Sequence, residues 1–133
     1  MKLAHFGASA LLVLTLLVSP CRASDLPEPG SLTPAQATEL YNDLNDDLVI
    51  LDVRTDAEFH DGHAKGALHI PVDELISRTQ EIPENKPILI ICRSGRRAAH
   101  AFDILRKAGR SVDQVWYLTG YTDYSSGAPR FHN

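Results

Sequence analysis

Ile88-Leu89-Ile90-Ile91-Cys92-Arg93-Ser94-Gly95-Arg96-Arg97 decides how this 133-residue chain reads. Four consecutive aliphatic residues, three of them β-branched, are the mark of a strand covered on both faces. In the stretch Arg97–Ala108, the residues Ala98, Ala101, Phe102, Leu105 and Ala108 recur at helical spacing and form one apolar stripe. Gly109 then stands where a C-terminal cap belongs. Cys92 is therefore placed where a strand hands over to a helix N-terminus, facing unpaired backbone N–H groups and the positive end of a dipole. Three arginines within Cys92–Arg97 add fixed positive charge, so anions collect there and the thiolate is favoured over the thiol. That combination describes a nucleophile. The competing reading is a core cysteine closing a buried strand, but core cysteines keep apolar neighbours and this one precedes Arg-Ser-Gly-Arg-Arg.

Working outward, Leu48-Val49-Ile50-Leu51-Asp52-Val53 is a second short apolar run, and Gln114-Val115-Trp116-Tyr117-Leu118 a third, ended by Thr119-Gly120. Thr33-Pro34-Ala35-Gln36 joins an N-cap, a first-turn proline and a capping-box glutamine, which predicts a helix through about Leu44. Thr55-Asp56-Ala57-Glu58 repeats the pattern and starts a short helix. Gly62 and Gly66 mark a loop before Ile70-Pro71, Val72–Gln80 reads as another short helix, and Ile82–Pro87 as a connector. Strands alternating with helices predict an α/β fold with a central, mainly parallel sheet flanked by helices. In such sheets ligands sit beyond the carboxyl ends of the strands, which is where Cys92 stands.

Lys2, the apolar run Leu11–Val18, Pro20 and Ala23 compose a secretory signal peptide over residues 1–23. The apolar core is shorter than the roughly 20 residues a membrane-crossing helix needs. A lipoprotein acylated on Cys21 is the rival reading, which Pro20 before the cysteine fits poorly. Cleavage after Ala23 would leave 110 residues and Cys92 as the single thiol; losing Lys2 and Arg22 takes the net charge from −4 to −6. The expected product is exported to the periplasm without stable membrane insertion, as a monomer of one domain. An unpaired thiol in an oxidising compartment is a liability unless it has a task, which favours a working Cys92. Net acidity argues against a nucleic-acid partner. Residues 24–32 read as a lead-in too rich in Pro and Gly for a regular element, and Ser125–Asn133 as a loose tail.

Between residues 33 and 124 the chain resembles the single-domain rhodaneses at four places in family order. These are Leu51-Asp52-Val53-Arg54 with Glu58; Gly62-His63-Ala64-Lys65-Gly66-Ala67-Leu68-His69-Ile70-Pro71, close to the family's Gly-His-Ile-x-Gly-Ala-x-Asn-Ile-Pro; the loop Cys92–Arg97; and Val115-x-x-Leu118-x-Gly120. The departures are His69 for the usual Asn, Tyr121 where a second Gly is frequent, and Tyr124 near the place of a family Trp. The resemblance implies a rhodanese-like three-layer fold and a thiosulfate sulfurtransferase that carries sulfur as a Cys92 persulfide. Its partners would be a small anionic sulfur donor and a thiol or cyanide acceptor, with no cofactor. Splitting the transfer into two steps at one nucleophile implies ping-pong kinetics.

In this reading the amides of residues 93–97 cradle the persulfide and the departing oxyanion. Gly95 lets the backbone turn inward, Arg97 holds the anionic donor with its planar fork, Arg93 and Arg96 steer anions at the rim, and Ser94 donates a hydrogen bond or is merely small. Asp52 and Arg54 read as structural, with Glu58 the candidate partner of Arg54. His60, His63, His69 and His100 lack zinc-ligand spacing, so no metal is expected, and His63 positions its own loop. A phosphatase or arsenate reductase of this fold family would carry five residues between cysteine and arginine; here four separate Cys92 from Arg97. A dithiol oxidoreductase lacks its second cysteine. A non-catalytic rhodanese module that binds partners or senses redox state remains the rival from outside enzymes.

Overall fold

The structure, a computed structural model, describes residues 25–133. The signal peptide expected over 1–23 and its rival, acylation at Cys21, both fall outside the described residues. Five strands form one sheet in which every pairing is parallel: β1 (Gly30–Leu32), β2 (Val49–Asp52), β3 (Leu68–His69), β4 (Ile88–Ile91) and β5 (Val115–Leu118), in the order β1-β5-β4-β2-β3. Three helices join them: α1 (Pro34–Leu44), α2 (Asp56–Asp61) and α3 (Arg96–Lys107). No helix among the described residues is long and apolar enough to cross a membrane.

The period-2 geometry of strands divides the core in two. Ile88, Ile90 and Cys92 point to one face with Leu51, Val53, Ala98, Ala101 and Leu105 of α3. Leu89 and Ile91 point to the other with Ile50, Trp116, Leu118, and Ala37 and Leu40 of α1. All four β4 residues are buried, as the unbroken apolar run requires. Both capping boxes form: Thr33 Oγ1 accepts from Gln36 N at 3.3 Å, and Thr55 Oγ1 accepts from Glu58 N at 3.3 Å. Each is worth about 1 kcal/mol to its helix. Of the α3 stripe, Ala98, Ala101 and Leu105 are buried and Phe102 packs on Tyr117 at 5.4 Å, whereas Ala108 is exposed at the C-cap.

Four segments depart from the sequence reading, the smallest being Leu68–His69, which pairs as β3 with Leu51–Asp52 where a loop was expected. The lead-in contains a strand: β1 pairs with β5 as Gly30↔Trp116 and Leu32↔Leu118, and Trp116 Nε1 donates to the Pro27 and Glu28 carbonyls at 3.0 Å each. Its order comes from this non-local pairing, which local Pro and Gly content does not report. The tail is likewise ordered, because β6 (Tyr121–Asp123) and β7 (Arg130–His132) make an antiparallel pair. Phe131 in β7 is buried and meets the Tyr41 ring edge-on at 6.1 Å. The helix expected over Val72–Gln80 is two 3₁₀ segments, Val72–Ser77 and Thr79–Glu81. Pro71 gives no side-chain cap there, and Ser77 Oγ donates to the Glu74 carbonyl instead of leaving it for a longer helix.

Candidate active site

Parallel strands bring their carboxyl ends to one rim, and that rim gathers Arg54 after β2, Cys92 after β4, and the β6 segment after β5. Cys92 is 1% exposed and packs with the α3-side core, so the burial half of the core-cysteine reading holds. Its sulfur does not end in hydrocarbon, however, because Gly95 N donates to Sγ at 3.0 Å. The loop thus folds back over the thiol rather than splaying away. Among the described residues Gly95 supplies the single amide hydrogen bond to Sγ, fewer than the ring of amides expected from residues 93–97.

Gly95 is required twice over. Its φ of +90° is a conformation that L side chains rarely adopt, and a Cβ there would stand 2.9 Å from the Leu118 carbonyl oxygen and 3.0 Å from Thr119 Cα. The glycine also serves as N-cap of α3 without any side-chain hydrogen bond, so the helix's first amides open toward the loop. Arg93, Ser94 and Arg96 are all exposed, and the first two border the space over Cys92.

The arginine pairing differs from the sequence expectation. Arg97 does not offer a vacant fork: its Nη1 and Nη2 donate to Glu58 Oε2 and Oε1 at 2.7 and 2.9 Å. The Arg97 hydrogen bonds hold the Glu58 carboxyl down at about 2, and Glu58 in turn raises the Arg97 guanidinium above its ordinary value. Arg54, for which Glu58 was the candidate partner, instead grips Asp52, with Nη2 to Oδ2 at 2.6 Å and Nε to Oδ1 at 2.9 Å. Asp52 is wholly buried and Arg54 nearly so. Burial opposes the Arg54 charge, yet the Asp52 carboxylate outweighs it and the guanidinium is raised overall. Arg54 also donates to the Glu58 and Gly62 carbonyls at 3.3 and 2.7 Å, which ties α2 and its following loop to the rim. Both carboxylates therefore serve the site by positioning arginines.

The histidines also take structural places. His63 Nδ1 lies 2.7 Å from the Phe59 carbonyl, as the loop-positioning reading requires, and His69 Nε2 lies 2.9 Å from the Arg54 carbonyl. Their rings sandwich Phe59 at 3.8 and 4.1 Å. His69, where the family has Asn, thus keeps a polar contact to the backbone and adds a stacking one.

An open depression of about 350 Å³ lies over Cys92, lined by Arg54, Arg93, Ser94, Tyr121, Thr122 and Tyr124. A larger hollow of about 400 Å³ opens at the opposite rim, between Ile82–Lys86 and Arg110–Val115. It holds no cysteine, and the Arg110 side chain there is committed to the Thr79, Ile82 and Pro83 carbonyls. The candidate nucleophile lies at the smaller one. Thr122 and Tyr124 escaped the sequence reading as site residues; the available signal was their position just past the end of β5, on the rim already marked by Cys92.

The family profile described as "Rhodanese-like domain" matches residues 36–126, and the chain belongs to that family. The provisionally named sulfur carrier YrkF of Bacillus subtilis is 39% identical over 87 residues, covering 65% of this chain and 45% of that protein. A sulfurtransferase of Allochromatium vinosum is 36% identical over 64 residues, 48% of this chain and 60% of the other. Among solved structures, a rhodanese-related protein from Thermoplasma volcanium superposes with a TM-score of 0.57 at 25% identity, covering 73% of this chain and 88% of its own. The chain spans about half the length of the curated relatives it matches.

Proposed function

We propose that the chain is a sulfurtransferase that takes the sulfane sulfur of thiosulfate, or a similar small anionic donor, onto Cys92 and passes it to cyanide or a thiol. The Cys92 thiolate attacks the outer sulfur; the sulfur–sulfur bond of the donor breaks, its electron pair leaves with sulfite, and the enzyme keeps a persulfide. A thiophile then attacks that outer sulfur and restores the thiolate. The observation that carries this reading is the Gly95 N–H aimed at Sγ at 3.0 Å in a loop with four residues between Cys92 and Arg97. Relatives named for sulfur transfer or carriage point the same way. Because Glu58 occupies the Arg97 fork, donor capture falls to Arg93, Arg96 and the loop amides. The reading extends to an exported monomer acting in the periplasm on small anions.

Purified protein incubated with thiosulfate and cyanide should yield thiocyanate, and its intact mass should gain one sulfur atom after thiosulfate alone. Cys92→Ser should abolish both. Phosphate release from a phosphoester without thiocyanate would overturn the reading in favour of phosphatase chemistry, and neither product would favour a binding module.

A further inference from the structure

Two hydroxyls in the wall of the Cys92 depression are buried without any hydrogen-bond partner: Thr122 Oγ1 and Tyr124 Oη. Thr122 is 9% exposed. Thr122 acts on Tyr124 as a side-chain hydrogen-bonding neighbour that lowers its hydroxyl, yet the two oxygens miss hydrogen-bond geometry, and neither bonds to Sγ. An unsatisfied buried hydroxyl costs folding free energy, and native proteins keep few of them. These two occur together, on one short hairpin, beside the single cysteine of the described residues.

We propose that Thr122 and Tyr124 donate hydrogen bonds to the transferred sulfur once it sits on Cys92 as the outer atom of a persulfide anion. The inference rests on the sulfur-transfer reading above. In the free thiol, Sγ has one amide donor, from Gly95. A second sulfur moves the negative charge one bond outward, beyond that amide, into the depression whose wall carries the Thr122 and Tyr124 hydroxyls. The loading step is balanced: Cys92–S⁻ and thiosulfate give Cys92–S–S⁻ and sulfite, with one S–S bond formed, one broken, and no outside oxidant. Both hydroxyls can serve only as donors to such an anion. Burial, followed by the nearby Asp52 carboxylate, pushes the Tyr124 hydroxyl up to about 12, so it keeps its proton through the working range. The ring is held in place from behind, because the Arg54 guanidinium lies 4.7 Å from its centroid and is itself locked by Asp52. Asp52, Arg54 and Tyr124 thus form a chain of positioning contacts that ends in an unused proton donor.

The test is the equilibrium between thiol and persulfide forms, read by intact mass at fixed thiosulfate-to-sulfite ratios, for wild type, Tyr124→Phe, Thr122→Val and Thr122→Ser. Each hydroxyl deletion should lower the persulfide-to-thiol ratio about tenfold, the usual scale of one hydrogen bond to a charged acceptor, while Thr122→Ser keeps the wild-type ratio. The melting temperature of the thiol form should stay level or rise in both deletions, since an orphaned polar group has been removed. Unchanged ratios in a wild type that does take up sulfur would overturn this inference alone, as would thiol forms that melt markedly earlier, because the hydroxyls would then serve the fold. A wild type that gains no sulfur would overturn the sulfur-transfer reading with it.

Discussion

Replacing Gly95 with alanine tests whether the loop geometry is set by the backbone rather than by its charges. At φ +90° an alanine pays a conformational cost of about 1–2 kcal/mol. The new methyl would also press on the Leu118 carbonyl oxygen at 2.9 Å and on Thr119 Cα at 3.0 Å. Neither atom yields easily: Leu118 lies in β5, and Thr119 is fixed by hydrogen bonds from its N and Oγ1 to the Leu32 carbonyl at 3.0 and 2.9 Å. Overpacking of this kind adds about 1–3 kcal/mol. A combined loss of roughly 2–5 kcal/mol should lower Tm by on the order of 10 °C or more. If the loop relieves the clash by moving outward, Gly95 N withdraws from Sγ and sulfur loading slows by about a hundredfold, the scale of losing one preorganised donor. Urea unfolding and the rate of persulfide formation by mass report the two effects separately. An alanine variant within about 0.5 kcal/mol of wild type that loads sulfur at the wild-type rate would refute the argument.

Three further substitutions probe the contacts around the rim. Glu58→Gln should remove acid-sensitive stability: with the folded carboxyl at about 2 and the unfolded one near 4.5, the Arg97 pair stabilises fully above pH 4.5 and its contribution vanishes as pH falls through 2. After screening at this partly exposed site the gap is about 1–2 kcal/mol; stability curves of wild type and variant that stay parallel from pH 6 to 2 would contradict it. Asp52→Ala leaves the Arg54 charge buried and unpaired and should cost about 3–5 kcal/mol in chemical denaturation, whereas a loss below 1 kcal/mol would show the pair to be dispensable. Gly120→Ala places a methyl inside the His132 carbonyl and against Pro34 Cγ at 3.2 Å, so β7 must leave β6; limited proteolysis should then cut after residue 124 where wild type resists, and equal resistance would speak against it.

What could be read in the sequence was what local pattern encodes. The Ile88–Ile91 run, the two Thr capping boxes and the α3 stripe each carry their structural reason within a few residues, so strands, helix starts and the place of Cys92 were legible. What failed was non-local. Gly30–Leu32 becomes a strand only because Trp116–Leu118 lies beside it, and Arg130–His132 only because Tyr121–Asp123 turns back through Gly127 at φ +80°. The arginine partners were misread for a related reason. Arg54 and Glu58 sit four apart, which invites a pair, but Asp52 ends a buried strand with an uncompensated charge and claims Arg54 first. Glu58 is then left for Arg97, 39 residues away.

The hairpin that carries Thr122 and Tyr124 is anchored by β7, yet the family match stops at residue 126, four positions before β7 begins. A fragment trimmed to the homologous boundary would therefore lose the strand paired with one wall of the Cys92 depression while keeping every residue of the cysteine loop. By the same token, amino-acid changes at Phe131 or His132, far from Cys92 in sequence, would disturb the wall beside the thiol through the β6–β7 pairing.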